Sequence, residues 1–193
     1  MGERKKIDRI REELRAAEET MLPDFILTYE EDERTGVRKL VRQAEKRLEQ
    51  YKKEQERIEK LRIYERQYED RRYVCGIDEV GRGPLAGPVV AGAVILPKDC
   101  SILYINDSKK LSEKKREELY EVIMEQAVAT GIGMVGPAEI DEINILQATY
   151  EAMRQAIQNL SVKPDILLND AVTIPLVDIP QVPIIKGDAK SIS

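Results

Sequence analysis

The stretch Cys75–Val94, CGIDEVGRGPLAGPVVAGAV, decides the fold of this chain. An apolar run leads into two acids, Asp78 and Glu79, and four glycines and two prolines follow them. The short, β-branched run between Pro88 and Pro97 then predicts a second strand. The sequence therefore places two acids at the end of one buried strand, beside a tight glycine turn.

The glycines between these two strands allow several interpretations. Gly81-x-Gly83-x-x-Ala86 fits the loose dinucleotide-binding fingerprint, which requires a helix to open at the glycines. Gly87-Pro88 and the β-branched run that follows favour a strand instead, so this interpretation fails. An ordinary hairpin turn would need only the glycines. A glycine loop also lets a sugar-phosphate backbone approach closely, since it offers amide donors and no side chains.

Two further acids follow predicted strands. Asp170 comes after the apolar run Ile166–Leu168 and Asn169, and Asp188 comes after the predicted strand Val182–Ile185. In open α/β sheets the carboxyl ends of strands present ligand-binding groups. Clustered carboxylates repel one another unless cations neutralise them, and hard divalent ions such as Mg²⁺ and Mn²⁺ take oxygen ligands. The remaining acids fall in loops or helix starts, where solvated or capping roles are expected.

Composition excludes several classes of protein. The chain contains no histidine, which excludes histidine triads, bases and metal ligands. Its two cysteines, Cys75 and Cys100, do not form a disulfide framework, and no apolar run approaches the length of a membrane span. We therefore expect a cytoplasmic protein. Residues 1–72 hold 20 Lys or Arg and 19 Asp or Glu, whereas residues 73–193 hold 11 and 17, and clustered cation-binding carboxylates would explain part of that acidity.

The N-terminal third of the chain is charged and helical in pattern. Apolar residues at helical spacing predict one helix over residues 3–21, ended by Leu22-Pro23-Asp24, and a second over about 38–70. Such a pattern is typical of a solvated hairpin or coiled coil, although the recurring Arg, Lys and Tyr would also suit an arm that contacts nucleic acid. The domain boundary belongs near Arg71-Arg72, which gives a helical extension over 1–71 and a second domain over 72–193.

Further elements are predicted after the second strand. Ser112 is a candidate N-cap for a helix that runs to about Ala127, and Ala129–Gly136 reads as an edge strand. Pro137–Ile143 predicts a helical turn. Asn144 is then placed to cap a longer helix that ends near Leu160.

Several of these motifs resemble bacterial type II ribonuclease H, the ribonuclease HII family. Asp78-Glu79 before Gly81-Arg82-Gly83 is similar to that family's first motif, and Arg82 separates it from the type III enzymes, which tend to have Gly-Thr-Gly. The resemblance extends to Asp107-Ser108-Lys109-Lys110-Leu111, to residues 143–149 and to the acids at 170 and 188. The chain departs from the frequent Val-Asp-Gly of relatives by carrying Asn169 and Ala171 around the third acid.

The resemblance implies a fold and an activity. The fold is α/β and ribonuclease H-like: a mixed five-stranded sheet with its first three strands antiparallel, flanked by helices and preceded by a helical hairpin. The activity is hydrolysis, with Mg²⁺ or Mn²⁺, of the phosphodiester 5′ to ribonucleotides in RNA/DNA hybrids or embedded in duplex DNA. The four acids Asp78, Glu79, Asp170 and Asp188 would be the catalytic residues and metal ligands. The substrate would contact Gly81, Arg82 and Gly83, with Ser108, Lys109 and Lys110 close to its phosphates.

The resemblance also sets expectations for this particular chain. Relatives of this type continue past the position of Ser193 with helices that include a substrate-contacting tyrosine, so we expect a C-terminally shortened, monomeric fragment with weakened cleavage. Two alternatives remain open from the sequence. One is a metal-dependent nuclease of other specificity. The other is a non-catalytic helical module that binds nucleic acid or protein.

Overall fold

A computed structural model describes residues 5–83, 86–170 and 172–184. The chain divides into two compact units, Met1–Arg57 and Ile58–Ser193. In the first unit, apolar residues three or four positions apart bury one face of each helix. These helices are α1 (Ile7–Ala16), α2 (Leu22–Tyr29) and α3 (Thr35–Leu61), whose last turn belongs to the second unit. Their buried core consists of Ile10, Leu14, Leu22, Phe25, Val37, Leu40, Val41 and Ala44.

The N-terminal helices are confirmed, but α1 ends earlier than predicted. Arg47 donates hydrogen bonds to the carbonyl oxygens of Leu14 (2.8 Å) and Ala17 (3.0 Å). These bonds satisfy carbonyl groups that the end of a helix leaves without partners. Leu22-Pro23 then opens a separate helix, because a proline in the first turn lacks only an N–H that would be unpaired there.

The second long helix also differs from its prediction. It begins at Thr35 and ends at Leu61, and a turn at Arg62 separates it from the short α4 (Ile63–Gln67). Ile58 and Leu61 are buried against apolar side chains that follow the second strand. The interruption therefore directly follows two helical residues that are buried within the second unit.

Five strands form one mixed sheet, as predicted. They are β1 (Val74–Val80), β2 (Val89–Ile95), β3 (Ala129–Val135), β4 (Ile166–Asp170) and β5 (Gln181–Ile184), in the order β3-β2-β1-β4-β5. β2 is antiparallel to β1 and β3, whereas β4 is parallel to β1 and β5. β3 is thus the predicted edge strand. β5 lies at the other edge and contains Pro183, whose missing N–H suits such a position.

The helix α6 (Pro137–Gln158) packs directly on β3, β2 and β1. Glycines in β3 allow this approach: an ideal Cβ would lie 1.9 Å from the Ala152 carbonyl oxygen at Gly133 and 2.1 Å from that of Ala156 at Gly131. Because no side chain fits in such gaps, small residues on both elements set the distance between helix and sheet. The buried core of this unit includes Cys75, Ile77, Ala91, Ala93, Ile95, Ala148, Ala152, Met153 and Ala156.

Helix starts in this unit follow the sequence signals. Asn144 interrupts α6 with a left-handed φ of 69°, and its Oδ1 accepts hydrogen bonds from the N–H groups of Leu146 (3.0 Å) and Gln147 (3.2 Å). Asn144 therefore caps the second part of the helix, as predicted. Ser112 likewise caps α5 (Glu113–Gln126) by accepting a bond from the Lys115 N–H. Among the described helices, none has both the length and the apolar composition needed to span a membrane.

Candidate active site

Asp78 and Glu79 lie at the carboxyl end of β1, which continues one residue further to Val80. The pairing with β2 sets Asp78 opposite Gly92 and Glu79 opposite Ala91. Asp78 is exposed, and its Oδ1 accepts a hydrogen bond from the Glu79 N–H at 2.8 Å. The two acids are consecutive residues at the carboxyl end of β1.

Glu79 is the more enclosed of the two acids. Its side chain is 16% exposed, and its Oε1 lies 3.3 Å from Nη1 of Arg82, whose side chain is 45% exposed. Since Arg82 belongs to the turn that follows β1, the ion pair ties the glycine loop to the strand. It also places the positive charge of Arg82 beside the Glu79 carboxylate at the carboxyl end of β1.

The loop after β1 has a backbone that only glycine adopts readily. Gly81 has a φ of +93°, and a Cβ built there would lie 2.3 Å from the Pro88 carbonyl oxygen. The same construction at Gly83 meets no atom of the described residues within 4 Å. The chain thus returns tightly into β2 at Gly81, which confirms the strand predicted in place of a dinucleotide-binding helix.

Asp170 is the last residue of β4, the strand parallel to β1. Their pairing aligns Ile77 with Asn169, so Asp78 and Asp170 occupy the next position on each strand. Equivalent positions on neighbouring strands face the same side of a sheet. The sheet therefore brings the carboxyl ends of β1 and β4 to one edge, with Asp78 and Asp170 on a common face.

The polar residue before Asp170 is buried. Asn169 is 1% exposed, and its Nδ2 donates to Oε1 of Gln181 (2.8 Å) and to the carbonyl oxygen of Val172 (3.2 Å). Gln181 also accepts a bond from the Ile174 N–H (2.8 Å) and donates one to the Ile174 carbonyl oxygen (2.9 Å). Two side-chain amides thus connect the end of β4 to the segment that leads into β5.

Ser108, Lys109 and Lys110 form a short 3₁₀ turn before α5. Oδ1 of Asp107 accepts a hydrogen bond from the Lys109 N–H at 3.0 Å, which makes Asp107 the cap that its loop position predicts. Arg116 braces the turn from α5 by donating to the Leu111 carbonyl oxygen at 2.8 Å. Nζ of Lys110 lies 3.9 Å from Oδ2 of Asp107, and the Lys110 side chain is 64% exposed.

Comparison with known proteins adds to this geometry. Residues 75–191 match the sequence model of the family described as Ribonuclease HII, and residues 6–69 match that of the Ribonuclease HII N-terminal domain.

The chain belongs to the ribonuclease HII family.

Relatives named Ribonuclease HII are similar over most of this chain. The one from Lachnoclostridium phytofermentans is 68% identical over 165 residues, which cover 86% of this chain and 65% of the relative. Those from Clostridioides difficile and Bacillus subtilis are 51% and 56% identical over 98% and 88% of this chain, and over 75% and 67% of their own lengths. The chain thus spans just under two thirds of the Lachnoclostridium protein.

A solved structure supports the fold. The ribonuclease H2 of Pyrococcus horikoshii OT3 superposes with a TM-score of 0.50 at 28% identity, covering 61% of this chain and 64% of that one. The match to the N-terminal domain also extends the family likeness to the helices, which the sequence motifs did not cover.

The acids in the described part of the chain fit a hard cation by their chemistry. Asp78, Glu79 and Asp170 supply carboxylate oxygens at neighbouring strand ends, the donors that Mg²⁺ and Mn²⁺ take. Within residues 5–83, 86–170 and 172–184, no three acidic or cysteine side chains are close enough to form a metal site. The fourth predicted acid, Asp188, lies outside the described residues.

Sequence reasoning missed two features near these elements. Asn169 was noted only as a departure from relatives, although a polar residue inside the run Ile166–Leu168 to Asp170 signals a buried hydrogen-bond network. Tyr104 was not considered at all. It has a left-handed φ of 67°, and Nζ of Lys115 lies 5.1 Å from its ring centroid. No local pattern around Tyr104 indicated this contact.

Proposed function

We propose that the chain is an endoribonuclease that hydrolyses the phosphodiester on the 5′ side of ribonucleotides in RNA/DNA hybrids or embedded in duplex DNA. The observation that carries this proposal is the parallel pairing of β1 and β4, with Asp78 and Asp170 one step beyond the aligned Ile77 and Asn169, in a chain of the ribonuclease HII family. Such substrates arise in DNA replication and repair, which gives the proposed activity a cytoplasmic setting.

The proposed catalytic residues are the four acids Asp78, Glu79, Asp170 and Asp188, which would together hold Mg²⁺ or Mn²⁺. When bound, these ions supply positive charge that orients and polarises the phosphodiester and neutralises the charge that develops during its hydrolysis. Asp78 and Asp170 would act from one face of the sheet. Glu79 would exchange its contact with Arg82 for the cation, since the two positive groups compete for one carboxylate.

Gly81, Arg82 and Gly83 are proposed to select the ribonucleotide. A 2′-hydroxyl is both donor and acceptor and distinguishes RNA from DNA, so a bare backbone that approaches it closely can recognise it. The open space at Gly83 and the tight return at Gly81 support such an approach. Arg82, once it releases Glu79, carries a planar guanidinium suited to a phosphate.

Ser108, Lys109 and Lys110 are proposed to contact phosphates of the duplex. The bonds from Asp107 and Arg116 hold the main chain of this turn and leave the Lys110 ammonium at the surface. Lysine contacts to phosphate release counterions, so binding should weaken as salt concentration rises.

Cleavage of three duplexes would test the proposal: one with a single ribonucleotide in DNA, an RNA/DNA hybrid and an all-DNA duplex. We expect cuts on the 5′ side of ribonucleotides that depend on Mg²⁺ or Mn²⁺ and leave 5′-phosphates. The all-DNA duplex should stay uncut. Asp78→Asn should slow cleavage by about 10³-fold, because a ligand to the ions is lost. The assay should use protein in excess over duplex so that slow turnover is still measured.

The matched control is Asp141→Asn, which neutralises an exposed acid of α6 and should leave the rate unchanged. Full activity of Asp78→Asn would refute the assignment of the acids. Cleavage of the all-DNA duplex would instead support a nuclease of other specificity.

A further inference from the structure

Asn169 is a buried amide in an otherwise apolar strand. Ile166, Leu167 and Leu168 precede it, and each is at most 4% exposed. Oδ1 of Asn169 has no hydrogen-bond partner within the described residues. An apolar side chain of the same size would avoid burying that unsatisfied oxygen, so core packing alone does not explain an asparagine here.

The hydrogen bonds around Gln181 fix the orientation of both amides. Its Nε2 donates to the Ile174 carbonyl oxygen, and its Oε1 accepts from the Ile174 N–H. That Oε1 can accept a further bond only from a donor, so the group of Asn169 that faces it at 2.8 Å is Nδ2. The same Nδ2 reaches the Val172 carbonyl oxygen, which lies beyond Asp170 in the chain.

The two bonds of Asn169 enclose Asp170. The amide of Asn169, one residue before Asp170, is bonded to Gln181 at the start of β5. The same amide bonds the carbonyl oxygen of Val172, two residues after Asp170. The side chain of Asn169 thus bonds the main chain on the far side of Asp170.

We propose that Asn169 is a positioning residue that, together with Gln181, fixes the carboxylate of Asp170 for cation binding. This inference rests on the proposed function, because it takes Asp170 as one of the ligands. Partners that orient ligands typically change metal affinity by 10- to 100-fold when they are removed.

A control is available at the other end of the same strand. Oδ2 of Asp165 accepts hydrogen bonds from the N–H groups of Arg72 and Tyr73, both at 2.9 Å, and so anchors the start of β4 to the start of β1. Asp170 is five positions further along the chain, about 16 Å away along an extended strand. Asp165→Ala removes an anchor of β4 without touching the turn after Asp170.

The experiment measures Mn²⁺ binding to the protein alone by calorimetry, together with thermal unfolding, for Asn169→Leu, Gln181→Leu and Asp165→Ala. Leucine has the same number and branching of side-chain heavy atoms as asparagine and removes both bonds of Asn169. We expect Mn²⁺ affinity to fall at least tenfold in Asn169→Leu and in Gln181→Leu, with no loss in Asp165→Ala even if its Tm falls. The Mg²⁺ concentration for half-maximal cleavage should rise by the same factor in the first two variants.

The outcomes separate this inference from the proposed function. Unchanged Mn²⁺ affinity in Asn169→Leu, beside tight binding by the unmodified chain, would overturn the positioning role and leave the function standing. Equal losses of affinity in Asp165→Ala and Asn169→Leu would overturn it as well, because the effect would then be general destabilisation. If the unmodified chain binds no Mn²⁺, the cation site fails, and the role of Asn169 fails with it.

Discussion

Cys75 shows how strongly this sheet shields a single side chain. None of its surface is exposed, and burial raises the pKa of its thiol from 9.0 to about 12. The folded chain therefore keeps this proton at pH values where the unfolded chain has lost it. Because the unfolded state binds fewer protons in that window, the stability of the folded state falls as the pH rises from 9 towards 12.

Replacing Cys75 with alanine tests this effect. The variant loses the group that titrates, so its free energy of unfolding should fall less between pH 8 and pH 10.5, by about 2 kcal/mol relative to the unmodified chain. Urea unfolding at pH 8 and pH 10.5 measures the change in the free energy of unfolding for each protein. The cost of the small cavity that alanine leaves is the same at both pH values, so it cancels from this change. An equal fall in both proteins would show that the thiol ionises normally in the folded state.

At the residue scale, the sequence predicted charged groups better than it predicted their partners. Asp78, Glu79 and Asp170 could be assigned to strand ends because acids after apolar runs are conspicuous. The contact of Glu79 with Arg82 and that of Asn169 with Gln181 were not predicted. The first depends on how the chain turns at Gly81, and the second on where β5 lies, and neither is a property of local spacing.

At the scale of elements, the packing of α6 on β3 depends on a missing Cβ. Gly133→Ala would place a methyl group 1.9 Å from the Ala152 carbonyl oxygen, so the helix or the strand must move. We expect a loss of about 3 kcal/mol in the free energy of unfolding, as for other overpacked cores. Denaturant unfolding followed by circular dichroism measures it.

Gly92→Ala is the control for this substitution, since it lies in β2 and a Cβ there meets nothing within 4 Å. Its stability should stay within about 0.5 kcal/mol of the unmodified chain. If both variants were equally stable, the close approach of α6 to β3 would not be a constraint on this fold.

Helix boundaries were predictable from residue types that favour only one position at the end of a helix. Asn144 and Ser112 were expected as caps and are caps. Pro23 was misread because a proline marks both the end of one helix and the start of another. The sequence predicts Asp78 and Glu79 at the end of the first strand, and pairing with β2 continues β1 one residue beyond them, to Val80.

At the scale of the whole molecule, the sheet order could not be obtained from periodicity. The pairing of Ile77 with Asn169 joins residues far apart in the chain, and no pattern in the sequence predicted it. The antiparallel pairing of β1 and β2 followed from their short connection alone. The domain boundary near Arg71-Arg72 stays a prediction.

The edge strand β3 is protected by a side chain of α6 and by that of Asn159, which follows the helix. Gln155 accepts a hydrogen bond from the Met134 N–H at 3.1 Å, and Asn159 donates one to the Ile132 carbonyl oxygen at 2.8 Å. The side chains of Ile132 and Met134 are each 60% exposed, so this strand combines apolar surface with backbone groups that have no second strand to pair with. Exposed edges of that kind are sites of self-association.

Removing the two amides tests this protection. The double variant Gln155→Ala with Asn159→Ala should aggregate severalfold faster than the unmodified chain below its Tm, because β3 then offers unpaired N–H and C=O groups. Light scattering as a function of protein concentration measures the rate. Gln158→Ala, an exposed amide of the same helix, should have no effect, and equal rates in all three proteins would contradict a protective role.

Pro183 protects β5, the strand at the opposite edge of the sheet. A proline in a strand must keep its nitrogen out of the ladder, so the outer border of β5 lacks a donor where an incoming chain would need one. Among the strands that the structure describes, one edge strand, β3, has backbone groups bonded by side-chain amides. The other, β5, lacks one backbone N–H donor. Pairing with strands of other copies is thereby disfavoured at both of these borders.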